Sequence, residues 1–245
     1  ILSREIEAPE QILRRMRRSD AGVIQEHSEH LETTEYKPEK RFPRSSMVNV
    51  NASGKLVALA CSTGGPKALQ QVIPKLPENL DAAVVLVQHM PVGFTASLSA
   101  RLDEMSEIRV REAQDGEVLQ KGTVYIAKGG SQMRVIEKNR HEFVLSVREE
   151  GARNGLKPCA DILYESLRES SFEDITCVIM TGMGADGTKG ILQLKETNKI
   201  YVIAQNAESS TVYGMPKAIA ESGAADEIKD LDLIADAIIK HVGVR

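Results

Sequence analysis

The sequence has few of the features that mark exported, membrane-spanning or nucleic-acid-binding chains. It contains no tryptophan, and its three cysteines are an odd number without the spacing of metal ligands, which favours a reducing, cytoplasmic setting. No apolar stretch approaches the ~20 residues of a membrane helix, and no signal peptide is present, so we predict no direct membrane insertion. The net charge of −4 gives no basic footprint, so we predict no nucleic-acid partner.

The 245 residues, 42% of them hydrophobic, are enough for one sizeable α/β domain and a smaller segment. Because the first residue is Ile1 rather than Met, we expect a fragment or a processed chain. Apolar residues at helical spacing suggest a short amphipathic helix in residues 1–18. Residues 19–54 turn polar and favour a linker. We predict one folded domain over residues 55–245, with no cofactor and no metal site.

The predicted domain alternates short apolar runs with helical patterns, which is typical of parallel strands buried on both faces. We therefore predict a three-layer, doubly wound α/β fold, with a mostly parallel sheet and helices on both faces. An inserted β-hairpin is expected from residues 133–136 and 143–147. The clearest strand candidates are residues 56–60, 83–87, 176–180 and 200–204. Helices are predicted after the first and second strands and over residues 158–170, 186–196, 211–221 and 231–242.

Ser62 follows the first apolar run and precedes Gly64, Gly65 and a helical pattern. A hydroxyl at such a strand-to-helix corner stands clear of the sheet, beside the free N–H groups that open the helix. The two glycines allow a substrate to approach the backbone closely. This is the geometry of a serine hydrolase, although the same pattern also fits a phosphate-binding or merely structural turn.

A histidine and an aspartate follow two further apolar runs. His89 ends the second run, and Asp186 lies on the glycine-rich loop after the third. In a parallel sheet these ends face one crevice, so Ser62, His89 and Asp186 form a candidate nucleophile, base and orienting carboxylate. Their order along the chain differs from that of α/β-hydrolases, and the serine lacks the G-x-S-x-G context of that superfamily.

These residues belong to five ordered motifs that resemble a known family. The chain is similar to the chemotaxis protein-glutamate methylesterases, CheB-type response regulators whose C-terminal domain demethylates receptors. The similarity runs from about residue 55 to about residue 226. The motifs are Cys-Ser-Thr-Gly-Gly-Pro at 61–66, Val-Gln-His-Met-Pro at 87–91, Gly-Phe-Thr at 93–95, Thr-Gly-Met-Gly-Ala-Asp-Gly at 181–187 and Tyr-Gly-Met-Pro at 213–216.

The resemblance implies hydrolysis of glutamate γ-methyl esters on the cytoplasmic helices of chemoreceptors, and deamidation of receptor glutamines in some members. It implies that the backbone amide of Met183 helps to form an oxyanion hole and that Thr63 orients the site. It also implies regulation by an N-terminal receiver domain, and through it by a histidine kinase. No receiver motif is visible in this sequence, and residues 1–18 would be a receiver's tail or early linker.

Several alternatives stay open at this point. The chain could be a nonenzymatic regulatory or phosphate-binding module, or an unrelated hydrolase of small esters. Asp186 could cap the helix that follows it. Cys159 could be a small buried residue or a thiolate at a helix start. The sequence departs from the usual family pattern around the expected substrate groove, at Lys128, Gln132, Leu156, Lys157, Cys159 and Asn206.

Overall fold

The computed structural model describes residues 54–139 and 142–245, which belong to a single structural unit. The predicted segment 1–18 and almost all of the predicted linker 19–54 lie outside the described residues. The division of the chain into tail, linker and catalytic domain therefore stays a prediction.

The strands of the described residues are β1 (Lys55–Cys61), β2 (Ala83–Gln88), β3 (Arg109–Glu112), β4 (Thr123–Ile126), β5 (Gln132–Asn139), β6 (Glu142–Arg148), β7 (Asp174–Ile179), β8 (Ile200–Gln205) and β9 (Glu227–Lys229). Seven of them form a parallel sheet at the centre of the fold, with the strand order β3-β4-β2-β1-β7-β8-β9. The four strands predicted from long apolar runs are all present. The strands β3, β4 and β9 were not predicted, because each has only three or four residues and the two at the sheet edges are mostly polar.

Six α-helices are found in the described part of the chain. Three of them begin later than predicted, because loop residues at 158–159, 186–187 and 211–214 precede the first helical turn. In the helix after β2, Leu98 and Leu102 are buried as expected, but Phe94 and Met105 are exposed. The helices are α1 (Gly65–Val72), α2 (Phe94–Met105), α3 (Ala160–Glu165), α4 (Thr188–Lys195), α5 (Met215–Glu221) and α6 (Leu231–Val242).

Side chains of β1 alternate between two separate hydrophobic cores. Leu56, Ala58 and Ala60 belong to the core that contains α3, α4, α5 and the β5–β6 hairpin. The intervening residues, Val57 and Leu59, belong to the core beneath α1, α2 and α6. Because successive strand residues point to opposite faces, this alternation gives a sheet with helices on both sides. The predicted three-layer α/β class is confirmed.

The predicted hairpin is confirmed, with longer strands than the sequence suggested. β5 and β6 pair in antiparallel register from Gln132 with Arg148 to Asn139 with Glu142. The hairpin packs on the helical layer through Phe143, whose ring stacks on Phe172 at a centroid distance of 3.7 Å. It is therefore an insertion outside the central sheet.

The order of strands reverses beside β1, which lies between β2 and β7. At such a switch point the loops that follow neighbouring strands diverge and leave a crevice at the carboxyl edge. The loops after β1, β2 and β7 carry Ser62, His89 and Asp186, respectively. None of the described helices is both long enough and apolar enough to cross a membrane.

Candidate active site

Ser62 directly follows β1, and the end of β2 holds it from one side. The buried Gln88 side chain donates from Nε2 to the carbonyl oxygens of Ser62 and His89, each at 3.0 Å. Its Oε1 accepts from the Cys61 thiol at 3.1 Å. One carboxamide thus joins the peptide units of the candidate nucleophile and the candidate base.

The end of β7 holds Ser62 from the other side. The Ser62 backbone N–H donates to the Thr181 carbonyl at 2.9 Å, and the Thr181 hydroxyl donates to the Thr63 carbonyl at 2.9 Å. Thr181 is in turn fixed by Gln205, whose Oε1 accepts from the Thr181 N–H at 2.8 Å. The backbone around Ser62 is therefore fixed by groups on β2, β7 and β8.

Three glycines permit the close approach of these loops. Gly64 has φ +83°, a left-handed conformation, and an added Cβ there would meet Thr211. A Cβ at Gly65 would collide with Gln88 Oε1. A Cβ at Gly182 would lie 2.8 Å from Ser62 Cβ and would also collide with Met215. The loops thus leave no room for a side chain at these positions, and the site-shaping role of Gly64 and Gly65 stays a prediction.

His89 and Asp186 are in direct contact. The His89 Nε2 atom lies 2.7 Å from Asp186 Oδ2, and both side chains are at least nine-tenths buried. This bond occupies Nε2, and Nδ1 has no hydrogen-bond partner among the described residues. The structure therefore brings two of the three predicted residues into hydrogen-bond contact and places Ser62 at the adjoining strand end.

The Asp186 carboxylate also caps a helix, but not the one that the sequence suggested. The α4 helix, which follows Asp186, begins at Gly187, an N-cap residue that has no side chain of its own to cap the helix, and Asp186 does not cap it. Asp186 instead accepts the N–H groups of Ala160 and Asp161 at 2.6 and 3.0 Å, at the start of α3. Its partner helix is 25 residues away along the chain, so local sequence could not reveal it.

These contacts decide the charge of Asp186. Burial alone raises the pKa of a carboxyl group, but the hydrogen bonds from His89 and from the Ala160 and Asp161 amides outweigh it here, so the pKa of Asp186 is lowered. A carboxylate with a lowered pKa stabilises the fold above its ordinary pKa, and this contribution is lost as the pH falls through the lower value. Asp186 is thus ionised at neutral pH.

Cys159 lies beside this carboxylate, which the motifs did not indicate. Its thiol donates to Asp186 Oδ1 at 3.1 Å, and the side chain is buried. Burial, followed by the negative charge of Asp186, raises the pKa of Cys159 to about 12. The thiolate alternative is therefore wrong, and the reading of Cys159 as a small buried residue is supported.

Cys159, Asp161 and Asp186 together offer ligand atoms within 4.8 Å of one another. The carboxylates, however, already accept backbone N–H groups, with Asp161 Oδ1 bound by Gly187 and Gly190 at 3.0 and 2.8 Å. A cation entering the cluster would face these N–H dipoles. The donor set therefore fits helix capping better than metal binding.

Two backbone amides near Ser62 are available as oxyanion donors. Among the described residues, no group accepts a hydrogen bond from the N–H of Thr63 or of Met183. The Met183 side chain is 76% exposed, so it is not a core residue. Its loop is fixed through Gly182, whose carbonyl accepts the N–H groups of Gly214 and Met215 at 3.0 and 2.8 Å.

A cleft of about 260 Å³ opens beside His89, between the loop after β2 and the segment before α3. Leu156 and Lys157, two of the departures from the family pattern, line it. The exposed Lys128 lies on a neighbouring loop, where the Gly130 N–H donates to the Lys157 carbonyl at 3.2 Å. The rest of the lining is formed by Met90 and Pro91 on the first side and by Gly155 and Pro158 on the second.

Gln132 and Asn206, two further departures, have structural partners. The fully buried Gln132 accepts the Cys159 N–H at 2.9 Å and donates to the Leu156 carbonyl at 3.1 Å. It thereby fixes both the start of α3 and the wall of the cleft. Asn206 accepts the N–H and hydroxyl of Ser209 at 3.1 and 2.6 Å, which closes the turn after β8.

Sequence reasoning missed the residues that hold the site together. Gln88 and Gln205 each end an otherwise apolar buried strand, and both are almost completely buried. A polar residue that ends a buried strand was the available signal. Asp161 gave no such signal, because an aspartate in the first turn of a helix usually serves that helix alone.

The fold and this site together define a class of protein: a doubly wound α/β domain with a histidine–carboxylate pair beside a strand-end serine. Residues 57–238 match the family model described as CheB methylesterase. The chain belongs to this family. A solved structure, the CheB methylesterase catalytic domain of Thermotoga maritima, matches with a TM-score of 0.74 and 40% identity, over 78% of this chain and all of that one.

Curated relatives carry the name protein-glutamate methylesterase/protein-glutamine glutaminase. The protein from Bacillus licheniformis is 48% identical over 200 residues, which are 81% of this chain and 55% of the relative. The protein from Bacillus subtilis is 45% identical over 201 residues, 82% of this chain and 56% of the relative. The chain thus spans about half the length of the curated relatives that it matches.

Replacing Gln88 by Leu should weaken the site and the fold together. The His89 carbonyl loses its donor, while the Ser62 carbonyl keeps the Gly65 N–H at 2.8 Å. We expect the free energy of unfolding to fall by about 1–3 kcal/mol and Ser62 to react more slowly with a fluorophosphonate. Denaturant unfolding and labelling kinetics measure the two effects. The exposed Gln70→Leu on α1 is the matched control, and equal behaviour of both variants would contradict the assigned role.

Replacing Gly182 by Ala should displace Ser62. The added methyl group would press on Ser62 Cβ and the Ser62 backbone nitrogen, which cannot move without the main chain, and on the fully buried Met215 side chain. We expect a loss of about 1–3 kcal/mol in the free energy of unfolding, together with slower labelling of Ser62. The control is Gly151→Ala, where a Cβ meets nothing within 4 Å. Wild-type labelling by Gly182→Ala would show that the contact is not critical.

Proposed function

We propose that this chain is a serine esterase that hydrolyses glutamate γ-methyl esters on chemoreceptors. The observation that carries the proposal is the 2.7 Å hydrogen bond between His89 and Asp186 beside the Ser62 corner. A phosphate-binding module would need the N–H groups at the start of α1 but no such buried pair. Membership of the CheB methylesterase family supports the same choice.

In the proposed reaction the Ser62 hydroxyl attacks the ester carbonyl, and His89 accepts its proton through Nδ1. The imidazolium that forms is stabilised by Asp186, which is already ionised and bound to Nε2. Collapse of the tetrahedral intermediate breaks the bond to methoxide, which takes the proton from His89 and leaves as methanol. Water, deprotonated by His89, then attacks the acyl-enzyme and releases the free glutamate and the Ser62 hydroxyl.

The negative oxygen of the tetrahedral intermediate needs hydrogen-bond donors that are not already bonded to another protein group. The N–H groups of Thr63 and Met183 meet this condition. Donors fixed in advance stabilise the developing charge without reorganisation, and the loss of one costs about 10²–10³-fold in rate. We therefore assign both amides to the oxyanion hole, and we assign no catalytic step to the exposed Met183 side chain.

The relatives are also named protein-glutamine glutaminases, and we propose the same second reaction here. A receptor glutamine would form the same acyl-enzyme, with ammonia as a poorer leaving group. The proposed substrates are helices of the receptors' cytoplasmic part, entering at the cleft beside His89. We further propose regulation through a receiver domain and its histidine kinase, as in the family that the sequence resembles.

Mass spectrometry of methylated receptor membranes tests the function directly. Incubation with this chain should remove methyl groups from specific glutamates and, for the second activity, convert specific glutamines to glutamates. A small activated ester serves as a parallel substrate. Turnover of the small ester without any change in the receptor would favour the unrelated-esterase alternative, and the absence of both activities would contradict the proposal.

Ser62→Ala should abolish turnover, by roughly 10⁴-fold or more, because the hydroxyl forms the covalent intermediate. The fold should be unaffected, since the contacts of residue 62 with Thr181, Gln88 and Gly65 are made by backbone atoms. Methanol release and a thermal melt measure the two outcomes. Ser222→Ala, an exposed serine at the end of α5, is the control. Wild-type turnover by Ser62→Ala would remove the nucleophile assignment.

Asp186→Asn should lower the rate by up to about 10⁴-fold, because an amide cannot stabilise the imidazolium. It should also cost about 1–3 kcal/mol of folding free energy, since its NH₂ group must face either His89 or the α3 amides. The measurements are methanol release and the melting temperature. A loss of activity that only follows the unfolded fraction would leave helix capping as the sole role of Asp186.

A further inference from the structure

A second carboxylate stands behind Asp186. Asp161 is the second residue of α3 and is buried, and its side chain does not serve its own helix. Its Oδ1 accepts the N–H groups of Gly187 and Gly190 at 3.0 and 2.8 Å, at the start of α4. Asp186 in return accepts the N–H groups of Ala160 and Asp161. Asp186, which lies just before α4, thus caps the start of α3, and Asp161, which lies in α3, caps the start of α4.

This exchange fixes the backbone next to the proposed catalytic carboxylate. Gly187 is covalently bonded to Asp186 and has φ +95°, with an added Cβ only 3.0 Å from Ile179 and Tyr164. At Gly190 an added Cβ would lie 2.9 Å from the Asp161 carbonyl oxygen. The two helix starts therefore touch, and the Gly187 peptide has little freedom once Asp161 holds its N–H.

We propose that Asp161 is a positioning residue for the reaction: it holds the Gly187 and Gly190 amides and so keeps the Asp186 carboxylate against His89. The inference rests on the proposed role of His89 and Asp186 in activating Ser62. Asp161 has no contact with the reacting atoms, so its effect on the rate acts through the placement of Asp186.

The charges around Asp161 bear on how the test is designed. Asp186, Glu165, Cys159 and Tyr164 are the acidic neighbours, and Arg153 is the nearby cation, itself bound to Glu165. Burial raises the pKa of Asp161, so its charge costs stability, whereas its oxygen supplies the cap. Charge and geometry can be separated, because both amides bind the same oxygen, and an asparagine retains one carbonyl oxygen.

The test compares Asp161→Asn, which keeps an acceptor oxygen, with Asp161→Ala, which removes it. The probe is a fluorophosphonate, and the rate constant for labelling Ser62 is measured from acid to alkaline pH on the full chain. Asp230→Ala is the matched control, because Asp230 caps α6 by accepting the Asp232 N–H at 3.1 Å. Thermal melts on all variants report the loss of stability, which we expect for Asp161→Ala and Asp230→Ala because each loses a helix cap.

We expect Asp161→Ala to label Ser62 roughly 10- to 100-fold more slowly, because a displacement of about 1 Å in a catalytic group has this effect. The acid limb of its pH profile should move to lower pH, since a displaced Asp186 stabilises the imidazolium less. Asp161→Asn should stay within about threefold of wild type, because its oxygen still accepts both amides. Asp230→Ala should melt earlier without any change in rate or pH profile.

A purely structural role for Asp161 predicts otherwise. Asp161→Ala would then melt earlier, as Asp230→Ala does, with an unchanged pH profile, and this result would overturn the proposal. If Asp161→Ala does not fold, Asp161→Ser replaces it under the same criterion, because its shorter hydroxyl cannot span both amides. Failure of the wild type to label Ser62 would overturn the proposed function and this inference together, whereas labelling that is indifferent to residue 161 would overturn this inference alone.

Discussion

The hydrogen bonding of one buried carboxylate, Asp186, links the fold to the site. A charge nine-tenths removed from water is stable only if donors replace its hydration. Here the donors are two backbone N–H groups at the start of α3, the Cys159 thiol and the His89 ring. The same bonds satisfy N–H groups that a helix start would otherwise leave unpaired. Capping and the candidate chemistry are therefore one set of contacts, and neither can be altered alone.

The sheet and its polar strand ends have different tasks. Apolar side chains on both faces of β1, β2 and β7 determine that the three loops meet at one edge. They do not determine where a loop atom lies within that edge. This is done by Gln88 and Gln205, buried amides that bind backbone groups of the loops. Gln88 binds the Ser62 carbonyl directly, and Gln205 acts through Thr181, which accepts the Ser62 N–H. Because these bonds use backbone atoms of Ser62, its hydroxyl stays available for other partners.

The different roles of apolar strands and polar strand ends explain which parts of the fold and the site could be predicted from the sequence. The strands with four or more apolar residues were predictable from their apolar runs, and with them the proximity of His89 and Asp186, because parallel strands end at a common edge. β3 and β9 were not, since strands of three or four partly polar residues are specified by their neighbours. The helix capped by Asp186, and the contact of Cys159 with it, depend on packing between α3 and α4. Nothing in the local sequence around residue 186 carries that information.

The departures from the family pattern that lie near the site fall into two groups, one lining the cleft and one buried beneath it. Leu156 and Lys157 line the cleft, where a changed side chain alters what can bind without touching Asp186. Gln132 and Cys159 lie further inside, and each makes a hydrogen bond next to Asp186. Gln132 accepts the backbone N–H of Cys159, just before α3, and the Cys159 thiol donates to the Asp186 carboxylate. The two layers are joined at the segment from 156 to 159, because Gln132 donates to the Leu156 carbonyl and accepts the Cys159 N–H. The wall of the cleft is therefore connected to the Asp186 carboxylate through Gln132 and Cys159, since the Cys159 thiol donates to Asp186.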